Sequence, residues 1–389
     1  MQENAIPQRR NFVQKSKIFI IDARRSFIGK KNGVFRTISA EKLGAAVLRK
    51  ILDCNKKIAL DMTIAGNSVG GGGNIARLMA LYAKVDAVIP AITIDTQCSG
   101  GLTSVMLATS LIKSETVNCV ACGGFDSTST QIVRNYNINH PRFDKDNPSF
   151  EYAQFSPNTN GENVTLELAE NVARKWGIKR QELDAIAFAS HKKAATAFAN
   201  GQLEDSALGV FESTKDESIR FNISQAFLDK LPVLKKGGEI TAGNSCTKND
   251  GAAFAILCGE DYLTKNNLVP KAQIIDYCFV AGNPDLSPEY AVYAVDELFR
   301  KTGLTPKDIS SFEINEAFSI ISAVFNRKYP KYIDRLNPLG GAVGFGHPYS
   351  ASGTIILVHL LKSLQKGQLG ICSIANVGGG GVALLVKKE

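Results

Sequence analysis

Long apolar runs are missing from this sequence. No window approaches the roughly 18 uninterrupted apolar residues of a membrane span, and the first 17 residues (MQENAIPQRRNFVQKSK) lack the apolar stretch of a secretory signal. The final Val386-Lys387-Lys388-Glu389 is neither a prenylation box nor a peroxisomal tripeptide. Basic blocks interleaved with aromatics are also absent, although 45 Lys and Arg exceed 37 Asp and Glu. A cytoplasmic protein with no membrane and no nucleic-acid partner is the expectation. The net charge of +8 then fits a solvated surface or a steering field for a polyanionic small molecule. Eight cysteines, at positions 54, 98, 119, 122, 246, 258, 278 and 372, suit free thiols in a reducing compartment. Cys119 and Cys122 form no zinc site on this reading, because no second pair follows at ligand spacing. Three positions apart, they would also face opposite sides of a strand.

The 389 residues allow two or three domains of roughly 100 to 200 residues each, and 44% of them are apolar. An internal repeat at an offset of 248 organises them into two copies of one unit. In the first copy the pattern predicts strands at 17–22, ending at 66–67, at 91–95 and at 117–123. Helices fall between them: one capped by Ser39 with Glu41 in its first turn, one at 75–82 and one at 101–113. The second copy repeats the order: a strand at 272–277, a helix capped by Ser287 with Pro288 at its first position, and a strand ending at Ile314-Asn315. A helix from Phe318, a glycine-rich turn ending at His347, a helix at 353–364 and a strand at 370–376 follow. Strands and helices alternating in this way predict an α/β protein with two largely parallel, helix-covered sheets. Between the copies lies a polar, loop-rich stretch, residues 129–246, in which positions 135–160 alone hold six Asn and three Pro. Helices at 163–176 and 184–200 accompany it. Such an insertion on a rigid scaffold is where substrate binding is expected.

Reactive residues fall on the repeat at matching places. Cys98, in Thr96-Gln97-Cys98-Ser99-Gly100-Gly101-Leu102, follows a strand and precedes a helix, where the helix dipole and free N–H groups are expected to lower a thiol pKa. His347, in Gly340-Gly341-Ala342-Val343-Gly344-Phe345-Gly346-His347-Pro348, occupies the corresponding turn 249 residues later. If the copies pack about a pseudo-twofold axis, thiol and imidazole meet there, as a nucleophile and its base must. Asn315, in Asn315-Glu316-Ala317-Phe318, stands where Asn67 stands in the first copy; it can hold a water or donate to an oxyanion. Gly66-Asn67-Ser68-Val69-Gly70 matches a serine-hydrolase elbow, but four further residues intervene before any helix and spoil the required sharp turn.

Over nearly its whole length, from Asp22-Ala23-Arg24-Arg25 to the terminal glycines, the chain resembles the thiolases. The segments Cys98 to Leu102, Asn163-Val164, Ser190-His191, Thr241 to Asn244, Asn315 to Phe318 and Gly341 to Pro348 carry the likeness. The resemblance implies the thiolase fold: two repeated βαβ-type domains packed as α/β/α/β/α layers, with an inserted loop domain. The halves would be residues 1–128, completed by about 247–268, and 269–389, with 129–246 binding substrate. It further implies an acyl-CoA C-acyltransferase acting through an acyl-Cys98 intermediate, with His347 taking the thiol proton and Asn315 anchoring a catalytic water. Coenzyme A thioesters are the implied partners, with coenzyme A a substrate and no separate cofactor. Asn244, Ser245 and Cys246 would contact the pantetheine arm, Cys246 replacing the serine that thiolases place there. A role in fatty acid metabolism and a homodimer or homotetramer are also implied.

One element of the family pattern is missing. Thiolases carry a second, acid/base cysteine in the last strand, whereas this chain reads Ile371-Cys372-Ser373-Ile374-Ala375-Asn376-Val377 before its glycines. Aligning through the following strand puts Ala375 at that place; aligning on the glycines puts Asn376 there. Cys372 is about 10 Å away along the strand and on its other face. Acyl transfer to Cys98 needs no such group, but making or breaking a carbon–carbon bond loses its acid/base. An acyltransferase or condensing enzyme with weak thiolytic activity, or a non-catalytic acyl-CoA-binding relative, is the alternative this leaves open.

Overall fold

In the computed structural model, residues 17–389 are described, apart from 158, 160 and 162; residues 1–16, where no signal segment is expected, lie outside this set. Strand Ile18–Ser26 shows how the layers arise. Its Ile18 and Ile20 point into a central core, and its Phe19 and Ile21 point into an outer one, so both faces are apolar and both are covered. On the outer face, helices Ala40–Cys54 and Ile75–Tyr82 pack through Leu43, Val47 and Met79. The central core takes helices Gly100–Lys113 and Ala351–Ser363, whose buried residues run all round the axis as expected for a helix with protein on every side. Beyond them lies the second half's sheet, and beyond that helices Tyr290–Thr302 and Ser319–Lys328 close a third core around Phe312 and Phe325. The order is helix, sheet, helix, sheet, helix.

Two expectations need correction. The sheets are mixed. In the first half, Met62–Gly66 runs parallel to Ala91–Ile94 and to Cys119–Ser127, but Asn249–Gly259 lies antiparallel between Cys119–Ser127 and Ile18–Ser26. In the second half, Ser311–Ile314 is parallel to Leu369–Asn376, while Gly380–Lys388 runs antiparallel to both Leu369–Asn376 and Ala272–Ala281. The reason lies in the connections. Crossover helices produce parallel neighbours, whereas the tight turn after Asn376 forces an antiparallel return. Gly378 and Gly379 make that turn at φ values of +91° and +84°. The two half-sheets also join, through antiparallel pairing of Ile18, Phe19 and Ile20 with Ile274, Gln273 and Ala272. Second, Ser287 does not cap an α-helix: it sits inside a 3₁₀ turn, Pro284–Glu289, and the helix begins at Tyr290. Its hydroxyl donates to the Pro284 carbonyl and accepts from the Gly379 N–H, so it is spent on the glycine turn.

Cys119 and Cys122 do lie on opposite faces of their strand, in the outer and central cores respectively. No group of His, Cys, Asp or Glu suited to a metal ion occurs among the described residues, and no described helix is long and apolar enough to cross a membrane.

The insertion is locked to this scaffold by a buried ion pair. Arg25 is fully buried and meets Asp216 in fork-on-fork geometry, its Nη1 and Nη2 donating at 2.7 and 2.9 Å. Its Nε donates to His359 of the central helix at 3.0 Å, and Asp216 also accepts the Ile28 N–H. First strand, insertion and central helix are thus fixed through one guanidinium. Removing only one partner strands a buried charge, which typically costs about 3–5 kcal/mol. Urea unfolding of Asp216→Ala should show a loss of that size, and Arg25→Met combined with Asp216→Leu should show a smaller one. Equal losses in the two variants would mean that the stranded charge is not what matters.

Candidate active site

Cys98 leaves the end of strand Ala91–Ile94 through a strained elbow. Gln97 adopts φ +54°, held by donation of its N–H to the Asp95 carboxylate at 2.9 Å. Cys98 then lies in a 3₁₀ turn, Gln97–Ser99, that runs directly into helix Gly100–Lys113. His347 follows the four-residue helix Ala342–Phe345 and Gly346, whose φ is +104°. A Cβ on Gly346 would lie 2.4 Å from Asn249 Oδ1, the atom that accepts the His347 N–H at 3.0 Å. Glycine is therefore required on both counts.

Backbone contact brings the two turns together. The Gly101 N–H donates to the Ser350 carbonyl at 2.9 Å, and the Ser350 N–H donates to the Asp126 carboxylate at 2.9 Å. The Ser350 hydroxyl donates to the Gln97 carbonyl and meets the Ser68 hydroxyl at 2.6 Å. Ser68 is thereby engaged by another serine and not by an imidazole, which disposes of the hydrolase elbow.

A cavity of about 350 Å³ opens at this junction, and Cys98, His347, Asn315, Ser245, Cys246, Ala375 and Asn376 all line it. The imidazole is 4% exposed. Its Nδ1 lies 2.6 Å from the Ser352 hydroxyl and 3.5 Å from Asn315 Nδ2; the short contact fits either ring tautomer, and the tautomer with its proton on Nδ1, donated to Ser352, is the one that frees Nε2 to act as a base. Nε2 then keeps its lone pair and has no partner. Asn315 Oδ1 is unpartnered too, whereas both ends of the Asn67 amide are occupied: Nδ2 donates to the Phe125 carbonyl and Asp126, and Oδ1 accepts from Gly70. A polar atom buried without a partner marks a place for a ligand or water.

Asn244 requires a correction. It does not line the cavity. Its Oδ1 accepts the Thr241 N–H, and its Nδ2 donates to Asp184 and to the Glu239 carbonyl, so it shapes the loop that presents Ser245 and Cys246. Ser245 donates to the Thr241 carbonyl at 2.7 Å. In the last strand Ala375 pairs with Gly381 and Asn376 with Gly380, and Asn376 Nδ2 donates to Ser99 at 2.9 Å, beside the nucleophile. Cys372 is buried in the central core, on the face opposite Ala375. Sequence reasoning missed several wall residues. Tyr349, Phe318, Ile321 and Leu166 are apolar or aromatic and carry no signal beyond ordinary core, and Lys248 hides among 45 basic residues. Its ammonium lies 4.9 Å from the centre of the Tyr152 ring. Ser352 was legible only in hindsight, as the hydroxyl five residues after His347.

The expected low pKa of Cys98 is also overturned. Burial, then the charges of Asp126 and Asp95, push its thiol up to about 12. Burial pushes His347 down to about 4. Asp126, buried behind the turn and only partly compensated by the N–H groups of Val69, Ser350 and Ser68, rises to about 7. Desolvation outweighs the helix end, and the resting pair is neutral thiol beside neutral imidazole.

Layering, repeat and paired turns together define a duplicated α/β protein with a cysteine–histidine site between its halves. The family profile described as the thiolase N-terminal domain matches residues 18–261 and that of the thiolase C-terminal domain matches 268–388; the chain belongs to the thiolase family. A Staphylococcus haemolyticus protein carrying the provisional name acetyl-CoA C-acetyltransferase VraB is 33% identical, over 95% of this chain and 98% of that one. Among solved structures, the Bacillus anthracis acetyl-CoA acetyltransferase superposes with a TM-score of 0.87 at 26% identity, covering 96% of this chain and 99% of that chain. The human mitochondrial 3-ketoacyl-CoA thiolase in complex with CoA gives 0.85 at 27%, covering 96% and 98%.

A neutral resting thiol has a kinetic signature. Because only thiolate is alkylated, the rate of iodoacetamide modification of Cys98 should rise tenfold per pH unit from about 7 to 10, with no plateau. A plateau at or below pH 8.5, followed by peptide mass spectrometry, would show a preformed thiolate.

Proposed function

We propose that this protein is an acyl-CoA C-acyltransferase of the thiolase type, forming an acyl-Cys98 intermediate from acyl-CoA or 3-ketoacyl-CoA. The observation that carries the reading is the unpartnered Nε2 of His347 in the wall of the cavity that also holds Cys98. With both groups neutral at rest, proton transfer from Cys98 to Nε2 accompanies attack on the carbonyl. The resulting imidazolium N–H then faces the oxygen on which charge develops. Ser352, 2.6 Å from Nδ1, accepts the Nδ1 proton in the tautomer this step requires. Asn315, with its free Oδ1, holds a water that donates to the same oxygen when the acyl group is passed on.

Coenzyme A supplies the thioester and accepts the acyl group; it is substrate, and no separate cofactor takes part. The apolar wall formed by Leu166, Leu234, Phe318 and Ile321 suits the pantetheine arm and acyl chain, with Ser245 and Cys246 along it. Lys248, exposed beside that wall, is placed to meet anionic parts of the ligand. A cytoplasmic homodimer or homotetramer in fatty acid metabolism is the setting this reading carries with it.

Intact-mass measurement after incubation with acetyl-CoA and longer acyl-CoAs tests the proposal. One acyl mass should be added to the wild type and none to Cys98→Ser, and labelling of His347→Ala should be slower by about 100-fold or more. If no acyl-CoA or 3-ketoacyl-CoA labels the wild type, Cys98 is not the nucleophile.

A further inference from the structure

Two thiols share the cavity. Besides Cys98, the wall includes Cys246, whose N–H donates to the Ala317 carbonyl at 2.9 Å and so ties it to the Asn315-Glu316-Ala317 loop. Each of the other six cysteines is exposed on the surface or packed in a core, and none lines this cavity. The last strand offers only Ala375, which cannot exchange a proton, and Asn376, whose amide is engaged by Ser99. We propose that Cys246 is the acid/base for carbon–carbon bond cleavage and formation in this chain, acting on the α-carbon of the substrate from the insertion side of the cavity. This rests on the acyltransferase reading and completes it.

The step balances as follows. In cleavage, the Cys98 sulfur bonds to C3 of a 3-ketoacyl-CoA, and the C2–C3 electron pair passes to C2, giving the enolate of acetyl-CoA. The Cys246 S–H delivers its proton to C2, and acetyl-CoA departs, leaving a Cys246 thiolate. The incoming CoA thiol returns that proton to Cys246 as its sulfur attacks acyl-Cys98, and Cys98 leaves, taking back from His347 the proton it gave up on attack. In the forward condensation the same thiolate removes the α-proton. Burial holds the Cys246 thiol protonated at rest, and the nearby Cys98 and Glu316 push in the same direction. That is the state cleavage needs. Cys98 and Cys246 both line the same cavity of about 350 Å³, so one bound substrate can meet both thiols.

Tyr349 is the competing donor. It lines the cavity with its ring 5.7 Å from that of His347. Its phenol is pushed up by burial, and it lies on the same loop as the base. Cys246 comes instead from the insertion, two residues before Lys248, which pairs with His347 in a parallel bridge, so its thiol enters the cavity from a separate segment.

The test uses the full chain. In Cys246→Ala, which also alters the wall along the pantetheine arm, acylation of Cys98 by butyryl-CoA, read by intact mass, should fall at least about tenfold less than cleavage does. The kcat for acetoacetyl-CoA cleavage should fall about 100-fold or more. Deuterium exchange into the acetyl group of acetyl-CoA should be lost with it. Cys246→Ser guards against a packing artefact. It keeps the shape and the small polar group, but a hydroxyl is the weaker acid, so cleavage should remain depressed about tenfold or more. Adding Ala375→Cys to Cys246→Ala should recover cleavage and exchange, showing that what was lost was a thiol in the cavity. Wild-type cleavage in Cys246→Ala overturns the proposal, as does an equal loss of acylation and cleavage, or a loss of cleavage in Tyr349→Phe alone. If the wild type takes no acyl label at all, the acyltransferase reading fails and the proposal falls with it.

Discussion

The site exists because two backbones touch. Where the turns of the two halves meet, there is no space for side chains. A Cβ on Gly101 would lie 2.4 Å from the Ser350 carbonyl oxygen, one on Gly353 would lie 2.5 Å from the Leu102 nitrogen, and one on Gly66 would lie 2.4 Å from the Gly100 carbonyl carbon. A Cβ on Gly124 would lie 2.4 Å from the same Ser350 carbonyl oxygen. These contacts set the separation of the central helices, and the helices carry Cys98 and His347 at their leading turns. Everything outward of them, the mixed sheets and the flanking helices, holds that spacing from behind. Packing at such density transmits small displacements instead of absorbing them, so the geometry of the reacting pair is decided by glycines that touch no substrate.

Placing chemistry at the centre of the molecule has an electrostatic consequence. The imidazole and Asp126 are buried and the thiol is half-buried in the cavity wall beside them, and each is driven toward its neutral form. Charge therefore arises only as substrate reacts, in surroundings where unpartnered Nε2 and Oδ1 atoms already wait for it. Fixed polar groups in a largely enclosed cavity act more strongly on developing charge than mobile water would. The same desolvation, with the nearby carboxylates of Asp126 and Asp95, keeps the Cys98 thiol protonated until substrate arrives.

Much of this was legible from residues alone, and the reasons for success and failure are physical. Helices such as Ile75–Tyr82 and strands such as Leu369–Asn376 were close to their observed bounds because apolar periodicity and burial reflect one cause. Placement of Cys98, His347 and Asn315 in one cavity followed from the repeat, since equivalent positions in paired copies converge on the axis between them. Strand direction was not legible, because a buried antiparallel strand covered on both faces reads like a parallel one. Ser287 looked like a cap because local sequence does not reveal that a glycine turn 92 residues away takes its hydroxyl. The pKa of Cys98 was misjudged because the helix end is a local feature, whereas desolvation depends on everything packed around it. Asn244 looked like a ligand-contacting residue for the same reason: its partners, Asp184 and Glu239, become visible only after folding.

The three residue pairs that join Ile18–Ser26 to Ala272–Ala281 make one continuous sheet out of two related halves on a single chain. Covalent fusion has a consequence that concerns symmetry. In a dimer of identical subunits, any residue at the twofold axis meets its own copy, so a thiol there would face a thiol and an imidazole an imidazole. Joining the copies removes that restriction, and the equivalent turns become free to differ. One of them carries sulfur and the other nitrogen; one asparagine is committed to the framework, while its counterpart keeps an open oxygen. A reaction that needs unlike groups face to face is thus available to a folded duplicate, and closed to the symmetric pair it resembles.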